Sequence, residues 1–122
     1  MNVALWIAQV VLALAFLGAG YDQAANYDDA RRRMAWVSAL SRRMAAVFGA
    51  LEILGAIGLI VPAWTGVQPW LTAAAAVALA SLMAAAVVFH VRRHEIPQIA
   101  FSATFGLVAA FVAIGRFVIA PF

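Results

Sequence analysis

The sequence predicts an all-α integral membrane protein, a four-helix bundle with a short interfacial helix between spans 1 and 2. Three observations carry this. Two thirds of the 122 residues (67%) are hydrophobic and only 11% are charged, more apolar surface than a soluble chain of this length could cover. The apolar residues fall into four runs of roughly 20, the length a helix needs to cross a hydrocarbon core. The polar residues collect between those runs. The chain reads as one domain, 1–122, with spans near 3–20, 44–64, 70–91 and 97–117. No soluble catalytic domain is therefore expected within these residues.

The first span is broken only by Gln9, with Trp6 and Tyr21 near its ends as amphipathic aromatics at an interface. It lacks the positive leading residues of a cleaved signal peptide and is long for one, so a retained helix is expected. The segment 22–43 is the long polar one. Asp28 can cap a short helix whose first turn holds Asp29 and which continues over 30–40, where Met34, Val37 and Leu40 recur about once per turn. Arg31, Arg32, Arg33 and Trp36 surround that stripe, giving a weakly amphipathic helix expected to lie on the membrane surface, with Trp36 as its anchor. Ser41 is a candidate cap for the second span, and Arg42 and Arg43 stand at its headgroup end.

The second span holds one carboxylate, Glu52, in the middle of FGALEILGAIGLIVP. A carboxyl group at that depth must face other helices or a wet cavity. Gly49 and Gly55 lie three residues either side of it, and Ala45 and Ala56 extend the same stripe. Small residues let a neighbouring helix come close, so Glu52 is expected to look inward. Pro62, Thr65-Gly66 and Gln68-Pro69 mark the turn into the alanine-rich third span, expected to be enclosed or at an oligomer interface. Arg92-Arg93-His94-Glu95 follows, and Pro97 opens the fourth span.

The positive-inside rule fixes an orientation. Arg31, Arg32, Arg33, Arg42, Arg43, Arg92 and Arg93 fall in the first and third connections, against Arg116 alone on the other side. Both termini are therefore expected outside the cytoplasm. Trp36, Arg42, Arg43, Arg92, Arg93 and Arg116 are the expected membrane-interface residues, Arg116 snorkelling to the far headgroups. A sequence pI near 10.7 would suggest nucleic acid for a soluble protein, but arginines flanking apolar spans serve the bilayer instead.

Depth decides which polar groups can meet. At 1.5 Å per residue Glu52 lies roughly 12 Å in from the arginine-rich end of its span, and Ser81, Ser102 and Thr104 fall within about 5 Å of that level. His90 sits at the rim, and Arg116 lies too far down for a salt bridge to Glu52. The candidate ligand pocket is thus Glu52, Ser81, Ser102 and Thr104, opening toward His90. Its acid is expected either to sit neutral against a neighbouring helix or to carry protons. Gln9 is expected to hydrogen-bond across the bundle, and the first and fourth spans to close around the second.

Cofactor chemistry is narrowed by what the chain lacks. Without cysteine there is no disulfide, thiol redox or thiolate metal ligand, and without lysine no Schiff base. A bis-histidine haem needs two helices to contribute, whereas His90 and His94 share one segment. No metal site and no independent catalytic constellation is visible.

The stretches ALWIAQ through AG (4–20), ALEILGAIGLIVPAWTG (50–66), PWLTAAAA (69–76), FHVRRHE (89–95) and AAFVAIGRF (109–117) together resemble the DoxX-like family of small four-helix bacterial membrane proteins. The resemblance covers nearly the whole chain and places it in the bacterial inner membrane. Members usually carry a lysine a few residues after the first-span AG, where this chain has Tyr21-Asp22-Gln23. The family name derives from a subunit linked to thiosulfate:quinone oxidoreduction, and some relatives associate with membrane oxidoreductases. The resemblance therefore implies a quinone- or lipid-binding subunit beside such a partner, with Glu52, His90 and Arg116 at positions the family reserves for polar residues. Two other readings stand beside it: a small proton-coupled transporter, and a scaffold or assembly protein without ligand chemistry; a homo-oligomer is open in each.

Overall fold

A computed structural model describes residues 2–119. It contains six α-helices: α1 (Asn2–Ala25), α2 (Tyr27–Arg33), α3 (Ala35–Ser38), α4 (Arg42–Thr65), α5 (Trp70–Arg92) and α6 (Ile96–Ile114), the last running into a π-helical turn at Gly115–Ile119. Four of these helices are long and apolar enough to cross a membrane. The protein is an all-α membrane bundle. Between 28% and 33% of each span is buried inside it, so the apolar remainder, such as Leu14, Leu54 and Leu107, needs a hydrocarbon solvent.

The four long helices form a ring. α1 packs along α4, α4 meets α5, α5 packs along α6, and α6 returns to α1. The second span is therefore flanked by the first and third, and the fourth lies diagonally across from it. The expectation that the first and fourth spans close around the second is corrected in that respect. Leu12, Phe16, Leu59, Leu79, Met83 and Val112 fill the centre. α5 buries only one face, through Thr72, Ala73, Ala76, Leu79, Met83 and His90.

Gly20 and Gly49 govern how close α1 comes to α4. A Cβ on Gly49 would lie 2.5 Å from the Gly20 carbonyl oxygen and 2.9 Å from the Ala24 nitrogen, and one on Gly20 would lie 2.6 Å from the Gly49 oxygen. The helices touch backbone to backbone there, which only glycine permits. Gly55, expected on the Glu52 stripe, instead abuts Leu79 of α5.

The connections carry two differences from the sequence reading. α1 continues through Tyr21 and Asp22 to Ala25, so its last turn reaches beyond the apolar run. The single interfacial helix over 30–40 is instead two short ones broken at Met34, whose backbone is extended. The break buries Val37 and lays Met34 and Trp36 over the bundle end. Asp28 does not cap a helix; it binds Arg42 at 2.5 Å. Tyr27 donates its hydroxyl to the Leu40 carbonyl, tying the two short helices down.

Ser41 caps α4 by accepting from the Met44 amide at 3.1 Å. Pro62 does not end that helix. It lacks an N–H for the Gly58 carbonyl, yet α4 runs on to Thr65 and stops at Gly66, whose φ of 76° is the left-handed cap glycine favours.

Candidate functional site

The Gly20–Gly49 contact brings the end of α1 onto the middle of α4, one turn from the acid. Gln23, three residues after Gly20, is 3% exposed and donates Nε2 toward both Glu52 oxygens, at 3.3 and 3.2 Å. Glu52 is 6% exposed, on a buried stripe with Ala45, Gly49, Ala56 and Leu59. It looks inward as expected, and its partner is a neutral amide. The sequence reading missed Gln23. The signal was there: the buried stripe Leu5, Gln9, Leu12, Phe16, Gly20 steps by three or four residues and lands next on Gln23.

Beside this pair lies a cavity of about 450 Å³ in the half of the bundle nearest α2 and α3. Phe16, Phe48, Phe89 and Phe105 give it aromatic walls, and Met34, Trp36 and Leu40 roof it. Its polar lining is Gln23, Glu52, His90, Gln98 and Ser102. Ala19 and Phe101 on one edge, and Met44 and Ala85 on another, are exposed to the bundle surface. The volume and lining suit a small-molecule site, largely apolar with a few placed polar groups.

His90 closes the rim. Its ring is held edge-on against Trp36 and Phe89, at centroid distances of 5.4 and 5.2 Å. His94, with φ at 57°, turns the chain back so that the Glu95 amide reaches the His90 carbonyl at 3.1 Å. The Glu95 carboxylate then sits 2.9 Å from His90 Nδ1 and accepts from Arg93 Nε at 3.1 Å. Burial alone pushes the Glu95 carboxyl up, but the hydrogen bonds from His90 and Arg93, with the arginine charge, hold it below the ordinary value.

Of the expected pocket residues, Glu52, His90 and Ser102 share the cavity, and Ser81 and Thr104 do not. Ser81 bonds to the Val77 carbonyl at 2.9 Å and faces outward by the α4–α5 groove. Thr104 bonds to Ala100 at 2.8 Å and is exposed. Each hydroxyl is satisfied by its own helix. The two are at the right depth and on the wrong face.

Arg116 is also corrected. It is 4% exposed, not spread among headgroups, because the wider π-helical turn swings it inward. Its Nε donates to Gln9 Oε1 at 2.7 Å and its Nη1 to Asn2 Oδ1 at 2.6 Å, and it lies over the Trp6 ring. Gln9 in turn donates to the Leu59 carbonyl at 2.7 Å, the cross-bundle bond the sequence suggested. Arg43 and Arg92 are exposed, as is Arg42 with its Asp28 partner, while Arg93 serves Glu95 and Trp36 serves the cavity roof. Among the described residues no three of His, Asp or Glu cluster as metal ligands.

Compared with known proteins, the chain matches the family model described as the DoxX-like family over residues 7–112. No curated protein and no solved structure matches it.

Proposed function

The chain belongs to the DoxX-like family, and from that premise we propose that it binds a quinone headgroup in the cavity walled by Glu52 and His90. In this reading it is a bacterial inner-membrane subunit, both termini extracytoplasmic, working beside a membrane oxidoreductase. One observation carries the proposal: an aromatic cavity of about 450 Å³ at membrane depth, with a carboxyl group in its wall. A quinone ring is flat and apolar with oxygens at its edge. Phenylalanine walls suit the ring, while a protonated Glu52, the Ser102 hydroxyl and the Gln98 amide suit the oxygens. The exposed cavity edges give a lipid-soluble ligand a way in from the bilayer. Reduction of a quinone takes electrons and protons together. The chain has no cysteine to relay electrons, so the partner supplies them and this subunit holds the headgroup.

The test uses Trp36 as the reporter, with Trp6, Trp64 and Trp70 changed to Phe. Titrating the purified protein with a short-tailed benzoquinone should quench Trp36 saturably. Ala86→Phe, which fills the cavity, should abolish saturation. Quenching that rises linearly and ignores Ala86→Phe would contradict the reading.

A further inference from the structure

We propose that Glu95 and His90 form a proton port, joining water at the α5–α6 turn to Glu52 across the cavity with Ser102 on the way. The inference rests on the reading above only in taking Glu52 as the group that serves the ligand. The path itself belongs to the protein alone.

The two ends of the port differ in wetness. The Glu95 side chain is 15% exposed and sits in the turn with Arg92, Arg93 and His94, which all face solvent. The His90 side chain is 6% exposed and lines the cavity. A carboxylate on Nδ1 leaves the other ring nitrogen of His90 as the one that exchanges protons with the cavity. An imidazole can accept a proton at one nitrogen and release one from the other, provided the ring keeps its orientation. Trp36 and Phe89 clamp it edge-on.

Further in, the polar groups descend in steps. His90 is two residues from the end of α5 at Arg92, Ser102 six from the start of α6 at Ile96, and Glu52 ten from the start of α4 at Arg42. At 1.5 Å per residue these depths are roughly 3, 9 and 15 Å. All three side chains line one cavity, which is far larger than the ~30 Å³ a water occupies, so ordered waters can bridge them across it. Glu52 is faced by Gln23 from α1 and, across the cavity, by His90 from α5 and by Ser102 and Gln98 from α6. Among the described residues, Glu52 and His90 are the only ionisable ones in the cavity lining.

On the far side the path stops. Leu12, Leu59, Leu79 and Val112 separate Glu52 from the Gln9–Arg116 pair, and Phe16 and Met83 floor the cavity. Proton exchange is thus one-sided, with water at the arginine-rich face.

The test is the rate at which Glu52 protonates after a pH jump, read by rapid-mixing infrared at its carboxyl C=O band in the full-length protein. Glu52→Gln identifies the band. Glu95→Gln and His90→Phe should each slow the rate by about tenfold or more with the final amplitude kept, and added imidazole should rescue His90→Phe. A merely structural role would not give imidazole rescue. Glu95→Gln keeps the side-chain shape, so it remains informative if His90→Phe fails to fold. Wild-type rates in Glu95→Gln would overturn the port, as would the absence of a Glu52 band at every pH tried. Benzoquinone binding measured on the same samples separates the two proposals: slowed protonation without binding leaves the port and removes the ligand, and binding with unchanged rates does the reverse.

Discussion

Gln23 and Glu52 meet across the α1–α4 contact with the amide nitrogen shared between both carboxyl oxygens, at 3.3 and 3.2 Å. A neutral donor on a membrane carboxyl group satisfies its lone pairs without fixing a charge on it. The acid can then keep or release a proton while the bundle stays closed. The pair depends on the glycine contact one turn away.

Gly49→Ala should therefore loosen more than its own site. Its Cβ would meet the Gly20 oxygen and the Ala24 nitrogen, both backbone atoms that cannot step aside. α1 must move, at a cost of about 1–3 kcal/mol. Gly18→Ala is the control, since a Cβ there meets nothing within 4 Å. Thermal unfolding in detergent should fall for the first and hold or rise for the second.

Gln9→Leu should be among the most damaging single changes in the half of the bundle around Arg116. It removes the acceptor on the buried Arg116 Nε and the donor to the Leu59 carbonyl together. The expected loss is about 1–3 kcal/mol, because a buried cation loses one hydrogen-bond acceptor while Asn2 and the Trp6 ring stay in place. Unfolding close to that of the parent would show that Arg116 relocates to the surface.

The α5–α6 turn should weaken in acid. The Glu95 carboxyl is held below its ordinary value of 4.5, so its contribution is present above that value and is lost as pH falls through the lower folded one. Thermal midpoints followed from neutral to acid pH should show this decline. In Glu95→Gln the corresponding part of the pH dependence should be missing.

Orientation has a direct test. Arg31, Arg32, Arg33, Arg42, Arg43, Arg92 and Arg93 all lie at the α2–α3 end, and Arg116 at the other end is turned inward. Among the described residues the far face then exposes no arginine, which sharpens the asymmetry behind the positive-inside rule. A reporter active only outside the cytoplasm, fused after Phe122, should be active. Activity of a cytoplasm-only reporter there would reverse the topology.

The spans and the inward face of Glu52 were legible because each rests on a pattern the backbone enforces: length for a span, small residues at helical spacing for a close contact. Ser81 and Thr104 were misplaced because counting residues gives depth along a helix and says nothing of azimuth. Arg116 defeated the reading because a π-helical turn shifts the register that a straight helix would keep. Gln23 was hidden by Tyr21 and Asp22, which look like the start of a loop while the helix runs on beneath them. The Glu95–His90 bond depends on a left-handed histidine at 94, and no composition rule selects that.

The central claim is that Glu52 meets a ligand as well as holding a helix contact. The measurement is an infrared difference spectrum of wild type and Glu52→Gln, with and without short-tailed benzoquinone, alongside binding affinity. Wild type should show a carboxyl band that moves when the quinone binds and that is absent from Glu52→Gln. The variant should fold normally and bind about tenfold more weakly, the equivalent of one hydrogen bond at ~1.4 kcal/mol. A carboxyl band unmoved by quinone, with equal affinity in both proteins, would contradict the account and leave Glu52 a plug between α1 and α4.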